Sequence, residues 1–281
     1  MNNVKTVNYF LFCGDEMKDG ITAPDQVKSH KNSTAYINMV KTHYDHIADE
    51  FDFYPIAAKD DREIFIKKMP IANRGKAIDI GCGTGRTVHD LSRDFDKVYG
   101  VDLSPGMIAE AKKRCENLDN VFLQELDIID LHFPQEYFDY IVSHTTFHHL
   151  KKDLIPTLEN VKKMLKPGGK IVFIDIIAKG LMKRHAPLVR KIGAFLTLVK
   201  EILQLKFYKA IKNYNMSTNP FWMKHLESDR FLEKNDFVNR FSSVFENAKF
   251  EEISKEFGLN HLVIVEWNKP EKKMGSGESA D

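Results

Sequence analysis

Cysteine is scarce in this 281-residue chain: Cys13, Cys82 and Cys115 are the three, and none lies in a C-x-x-C pair. That spacing excludes a disulfide framework and a zinc knuckle. Long apolar runs are lacking near the amino terminus. A brief one, Tyr9 to Cys13, is followed by acids and Gly20, which is neither a signal peptide nor a membrane span, so a cytoplasmic protein is expected. Charge of one sign is not in excess either. With 41 Lys and Arg against 40 Asp and Glu, no nucleic-acid surface is spread over the whole protein, and only a local basic patch is left open. No internal repeat is present. His144 and His148 are four apart, as two ligands on one helix face would be, but no third or fourth ligand follows by spacing, so no metal site is expected. Missing, finally, is the last glycine of a dinucleotide fingerprint. G-x-G-x-x-G would place it at position 86, where this chain has Arg86.

What the chain does have is Lys76-Ala77-Ile78-Asp79-Ile80-Gly81-Cys82-Gly83-Thr84-Gly85-Arg86, an apolar run leading into glycines at alternate positions, with an acid two residues before the first. It reads as a strand entering a helix through a bend that glycine makes at little steric cost. Gly81 and Gly83 let a ligand lie against the main chain and Gly85 lets the next helix pack close, so a nucleotide-like ligand is the natural occupant. Cys82 suits the loop by its small size. The next strand-like run, Lys97 to Val101, ends in Asp102, where a carboxylate can accept hydrogen bonds from two adjacent ribose hydroxyls. Val121 to Glu125 is followed by Leu126-Asp127-Ile128, Phe138 to Ser143 reads as a fourth strand, and Leu165-Lys166-Pro167-Gly168-Gly169-Lys170 as the turn before a fifth. Strand and helix patterns alternate from Lys76 to Ile177, the signature of a parallel sheet with helices on both faces.

This ordered set resembles the class I S-adenosylmethionine-dependent methyltransferases of small-molecule type, such as the ubiquinone/menaquinone-biosynthesis methyltransferase domains. The resemblance covers Thr34 to Asp175 in specific motifs and Leu232 to Pro270 in pattern. It implies an α/β, Rossmann-like fold: a seven-stranded, mostly parallel sheet of order 3-2-1-4-5-7-6 with the last strand antiparallel, helices on both faces and an α-helical cap insertion. It also implies S-adenosyl-L-methionine as cofactor, with S-adenosyl-L-homocysteine as product. Asp79, Gly81, Cys82, Gly83 and Gly85 would then lie at the methionine end, Asp102 at the ribose, and Asp127 with Ile128 at the adenine, with Leu103 and Ser143 also at the cofactor.

Two further stretches carry candidate chemistry. Ser143-His144-Thr145-Thr146-Phe147-His148-His149-Leu150 follows the fourth strand, where an open α/β sheet places its crevice. His148 is the candidate general base, because an imidazole titrates near neutrality; the alternative is a ring that packs or caps the following helix. Tyr44-Asp45-His46-Ile47-Ala48-Asp49-Glu50-Phe51-Asp52 resembles the Y-D-x-x-A-x-x-Y-D helix of many small-molecule methyltransferases. By that resemblance Tyr36 and Tyr44 close over the cofactor or line the acceptor pocket, with ordinary core packing as the alternative, and Phe51 stands where many relatives have Tyr.

Along the chain, residues 1–32 read as an arm or lid, 33–178 and 231–270 as the methyltransferase core, 179–230 as a helical cap insertion and 271–281 as a disordered tail. Thr34 to Glu50 and Asp60 to Met69 have helical spacing. Gly180 to Tyr214 places Leu188, Ile192, Phe195, Val199 and Ile202 at helical spacing, with Lys and Arg at the polar positions and Glu201 as the one acid. Two readings stand: a cap whose apolar face lies over the active site, and a peripheral surface, 181–214, that meets anionic lipid. Pro220 to His225 is aromatic-dense and reads as cap or substrate wall. Leu232 to Phe245 reads as a helix, and Lys249 to Ser254 with His261 to Trp267 as two closing strands.

The expected activity is in-line methyl transfer to a small, largely apolar acceptor, whether phenolic or amine metabolite, quinone precursor or lipid, in a pocket roofed by the insertion. RNA or protein methylation is the second reading and predicts a basic funnel beside the donor. It lacks an Asn-Pro-Pro-Tyr type motif, having Ser143-His144-Thr145-Thr146 instead. The third, a non-catalytic membrane- or partner-docking module, does not need the intact glycine loop and both acids. The acceptor, the methylated atom and the oligomeric state stay open at this level.

Overall fold

The computed structural model describes residues 34–53, 59–70, 72, 74–178, 187–204, 206–228, 231–254 and 261–271. The expected amino-terminal arm and carboxyl-terminal tail lie outside the described residues.

Among the described residues, eight strands form one sheet: β1 Lys76–Ile80, β2 Lys97–Asp102, β3 Val121–Glu125, β4 Phe138–His144, β5 Leu165–Ala178, β6 Leu232–Glu233, β7 Lys249–Ser254 and β8 His261–Asn268. The order is β3-β2-β1-β4-β5-β8-β7, with the two-residue β6 pairing the end of β5. Counting the seven long strands, this is the expected 3-2-1-4-5-7-6, and β8 alone runs against the direction of the others. The helices are α1 Thr34–Asp45, α2 Lys59–Lys67, α3 Arg86–Leu91, α4 Pro105–Arg114, α5 Leu154–Met164, α6 Pro187–Leu203, α7 Phe207–Thr218, α8 Pro220–Ser228 and α9 Lys234–Val244.

Strands covered on both faces by helices are apolar almost throughout, and β4 is buried along nearly its whole length. Alternate residues feed two cores. Ile78 and Ile80 of β1 join Val101 and Phe173 against Leu158 and Val161 of α5 and Phe237 and Phe241 of α9. Ala77 joins Val98, Val142 and Val172 against Val88 and Leu91 of α3 and Ile108 of α4. The strand order reverses between β1 and β4, which puts a crevice at the carboxyl ends of these strands.

Four local expectations are corrected. The helix from Thr34 ends at Asp45 rather than Glu50, because the next turns tighten to i−3 bonds, Ile47 N–H to Tyr44 O and Glu50 N–H to Ile47 O, before the 3-10 turn Phe51–Phe53. The Lys166 to Gly169 turn is drawn into β5, with a register shift where β4 pairs it between Phe138 and Tyr140. Leu232 and Glu233 form β6, so the following helix starts at Lys234. The basic amphipathic segment is two helices, α6 and α7, separated near Gln204, and α8 follows after Asn219.

Candidate active site

The glycine loop hangs from β2: the N–H groups of Gly81 and Cys82 both donate to Val101 O, at 2.8 and 3.0 Å. Gly81, Gly83 and Gly85 all take positive φ, but their missing side chains serve different neighbours. A Cβ on Gly81 would lie 2.1 Å from Thr146 Oγ1, and one on Gly85 would lie 2.8 Å from the Ala111 Cβ of α4. At Gly83 the nearest atom is a ring carbon of Phe51, 4.0 Å away. Of the three, Gly83 is therefore the one that leaves space for a ligand. Cys82 is buried with its sulfur toward Gly100, where a Cβ would be 3.1 Å from Sγ, which fits the expectation that it is there for its size. Burial pushes its thiol well above the usual range.

Asp102 is doubly held. Its Oδ2 accepts from Gly83 N–H at 2.8 Å and its Oδ1 from Ser104 N–H at 2.9 Å. Burial raises it to about 6 against the lowering effect of these two bonds. Asp79, at the end of β1, is buried too, and its Oδ1 has no hydrogen-bond partner among the described residues. Burial, and then the nearby Asp102, push it up to about 8. Asp127 caps the 3-10 turn Ile128–Asp130, its Oδ1 accepting from Ile129 N–H at 3.2 Å, and burial raises its carboxyl as well.

These groups open onto one cavity of about 560 Å³. Asp79 lines it from β1, Gly81, Cys82 and Gly83 from the loop, Asp102 and Leu103 from the end of β2 and the residue after it, and Asp127 and Ile128 from the turn that follows β3. Tyr36, Ile37, Val40 and Tyr44 of α1 line it as well, with Phe51. The expected pocket positions of Tyr36 and Tyr44 are thus on the cavity wall. Gly85 and Ser143 are not. Gly85 faces α4, and the Ser143 hydroxyl donates to Ile80 O at 2.6 Å, joining β4 to β1 beneath the site.

His148 is also corrected. It is buried off the cavity, its Nδ1 2.6 Å from Asp175 Oδ1, while its backbone N–H donates to Asp175 Oδ2 at 3.0 Å. The histidine on the cavity wall is its neighbour His149, whose Nδ1 lies 3.4 Å from the Tyr36 hydroxyl. His144 lines the cavity as well. A pair of adjacent histidines after a strand end gives no sequence signal for which ring turns inward; the register of the 3-10 turn Phe147–His149 decides it.

The roof differs from expectation. Among the described residues none of α6, α7 or α8 lines the cavity; α1 and Phe51 cover it. Trp222 and His225 of α8 pack behind α1, with ring centroids 6.0 and 4.8 Å from that of Tyr44. Two acids that the sequence reading passed over tie this lid to the loops. Asp45 Oδ1 accepts from the Ser104 hydroxyl at 2.5 Å and from Gly106 N–H at 3.0 Å. Asp52 accepts from the Thr84 hydroxyl at 2.5 Å, pairs with Arg114 and has Arg86 Nε at 3.8 Å. Their signal was in the quoted motif, as the two acids following its aromatic positions.

Comparison with known proteins agrees with this geometry. A family described as a methyltransferase domain matches residues 77–169. Demethylmenaquinone methyltransferase of Staphylococcus aureus (strain MRSA252) is 29% identical over 185 residues, covering 63% of this chain and 74% of that protein. Phosphoethanolamine N-methyltransferase 1 of Arabidopsis thaliana is 35% identical over 113 residues, 40% of this chain and 23% of that one. In fold, the chain is similar to Haemonchus contortus phosphoethanolamine N-methyltransferase 2 in complex with S-adenosyl-L-methionine, with TM-score 0.61 and 17% identity over 89% of this chain and 62% of that one. Strand order, glycine loop and these likenesses converge: residues 77–169 match a methyltransferase domain, set in a fold similar to that of a methyltransferase in complex with S-adenosyl-L-methionine.

Proposed function

We propose that the enzyme transfers the methyl group of S-adenosylmethionine to a small, largely apolar acceptor held under α1. The observation that carries this is the cavity itself, whose lining combines acids and an open glycine with Ile37, Val40, Tyr36, Tyr44 and Phe51. Its volume lies within the span of roughly 300–1,000 Å³ typical of small-molecule sites. The names of the relatives support a small-molecule acceptor, demethylmenaquinone and phosphoethanolamine, of which the first is apolar and the second charged.

The residues present fit the cofactor. The unpartnered Asp79 Oδ1 suits the α-ammonium of its methionine part. Gly83 leaves the backbone bare beside it. Each Asp102 oxygen accepts one backbone bond and so keeps acceptor capacity for the ribose hydroxyls, while Asp127 and Ile128 flank the place for adenine. When bound, the sulfonium supplies an activated methyl group for in-line displacement. The chain's own task is then positioning and exclusion of water. For a hydroxyl or amine acceptor a proton must also leave. His149 Nδ1 takes it, with the Tyr36 hydroxyl as relay, in place of the His148 expected from sequence.

Within this proposal the core is 33–178 with 231–270, the insertion 179–230 buttresses α1 through α8, and the enzyme is cytoplasmic with peripheral lipid contact through 181–214. The exposed apolar residues of α6 and α7 support that contact. Calorimetric titration with S-adenosylhomocysteine, with NADH as control, tests the cofactor assignment. Micromolar binding of the first alone is expected, followed by methyl transfer in a screen of apolar phenols and amines; binding of neither nucleotide would overturn the site assignment.

A further inference from the structure

The helices of the insertion turn an apolar strip away from the protein. On α6, Ile192, Phe195, Leu196, Val199 and Leu203 recur along one face and are between 40% and 78% exposed. On α7, Phe207, Tyr208 and Ile211 extend the strip, whereas Ala210, Asn213 and Met216 on its other side are buried. Met216 joins Ile47, Met107 and Trp222 in a small core, the Asn213 amide donates to Glu201 of α6 at 3.2 Å, and Lys212 pairs with Glu50. The strip is therefore carried on a packed support. Contiguous exposed apolar surface of this kind marks an interaction site.

Charge indicates what it meets. From Pro187 to Thr218 there are six basic residues and a single acid, Glu201, in a chain whose overall balance is almost neutral. A second copy binding by a twofold axis would press this same face on itself, bringing cations against cations. An anionic bilayer instead offers hydrocarbon to the strip and phosphate oxygens to the lysines. We propose that the α6–α7 face docks on anionic lipid, with Phe195 and Leu196 entering the interface and Lys191 and Lys209 contacting headgroups. This rests on the peripheral-contact reading above and adds to it the docking face and the residues that engage hydrocarbon and headgroups. Among the described residues no helix is long and apolar enough to cross a membrane, so the attachment is one of lying on the surface.

The test is co-sedimentation of the full chain with vesicles of phosphatidylcholine alone and of phosphatidylcholine mixed with phosphatidylglycerol, at low and high salt. Strong, salt-sensitive partitioning onto the mixed vesicles is expected. Lys191→Gln with Lys209→Gln should lower it by roughly fivefold per lysine, and Phe195→Ser with Leu196→Ser should abolish it. All four side chains are exposed and outside the cavity wall, so both double variants should bind S-adenosylhomocysteine as the parent does, which shows that each is folded. Equal partitioning onto neutral and mixed vesicles keeps the peripheral contact but overturns the anionic assignment. No partitioning onto either overturns both. A concentration-dependent dimer that the Phe195/Leu196 variant loses gives the face to a second copy and overturns the proposal.

Discussion

Replacing Asp79 by asparagine should make the free protein more stable and its cofactor binding weaker. Asp79 is buried at the end of β1 with an unpartnered oxygen, and its carboxyl is raised from 3.8 to about 8. A folded-state value above the unfolded one means that the stabilising contribution is complete below about pH 3.8 and is lost as pH rises through about 8. At pH 7 the mismatch destabilises the fold by on the order of 4 kcal/mol. Asparagine has the same shape and does not titrate, but burying its amide with one atom unpartnered costs about 1–3 kcal/mol. The net gain of about 2 kcal/mol corresponds to a rise in Tm of about 4–8 °C. Scanning calorimetry should show the gap between variant and parent widening from about pH 5 to pH 8. Titration calorimetry should show the opposite ranking for S-adenosylhomocysteine, whose ammonium loses a charged partner worth about 1.5–3 kcal/mol, or roughly ten- to a hundredfold in Kd. Parent binding at neutral pH should also release about one proton, read from the heats in buffers of different ionisation enthalpy. An Asp79→Asn protein with unchanged or lower Tm at pH 8 and parental affinity would falsify the reasoning.

The two histidines separate by different readouts. His149→Ala should lower kcat by about a hundredfold or more with little change in cofactor affinity, while His148→Ala should chiefly lower Tm, by removing the Asp175 partner of a buried pair worth about 1.5–3 kcal/mol; the reverse pattern would restore His148 as the base. Asp52→Asn weakens the tie between the lid and Thr84, Arg86 and Arg114. Dissociation of S-adenosylhomocysteine, followed by stopped-flow fluorescence of Trp222, should then quicken roughly fivefold, as for loss of a part-exposed ion cluster of about 1 kcal/mol. An unchanged rate would mean that the cofactor leaves without α1 moving. Gly83→Ala should reduce cofactor affinity while costing about 1 kcal/mol in stability, because its φ of +51° is strained but its surroundings are open. If instead Gly83→Ala unfolds the chain, Gly83 is a packing glycine like Gly81.

The sheet was legible because parallel strands covered on both faces are short apolar runs, and β1, β2 and β4 each lead into an acid, a glycine or a histidine at the crevice. Strand order came from the resemblance, through the order of the loops. What the residues did not show was the direction in which a side chain faces once several solutions satisfy the same spacing. Ser143 and Thr146 are both small hydroxyl residues at the end of β4 and both donate to Ile80 O, yet Ser143 lies beneath the site while Thr146 lines the cavity and fills the space left by Gly81. Leu188, Ile192, Phe195, Val199 and Ile202 formed a helical stripe whose period was right, but Ile192, Phe195 and Val199 face solvent and not the cavity. Periodicity fixes that a stripe exists and leaves its partner undetermined.

The acids around the cavity show why residue type is a weak guide and donor accounting a better one. Asp45 and Asp52 are already engaged by protein donors, and their carboxylates fasten the end of α1 and the Phe51–Phe53 turn to the loops. Asp102 is divided, holding Gly83 and Ser104 in place while keeping capacity for a ligand, so Asp102→Ala would disturb the loop as well as the ribose contact. Asp79 has an oxygen that no described residue satisfies, at a position where its burial is unfavourable without a cation. A fold that keeps such a group beneath a lid has its stability coupled to ligand: binding relieves the buried carboxyl, and the Thr84–Asp52 bond closes the same loop under Phe51. Cofactor binding and the fastening of Phe51 therefore act on the same glycine loop, the first through Asp79 and the second through Thr84 and Asp52.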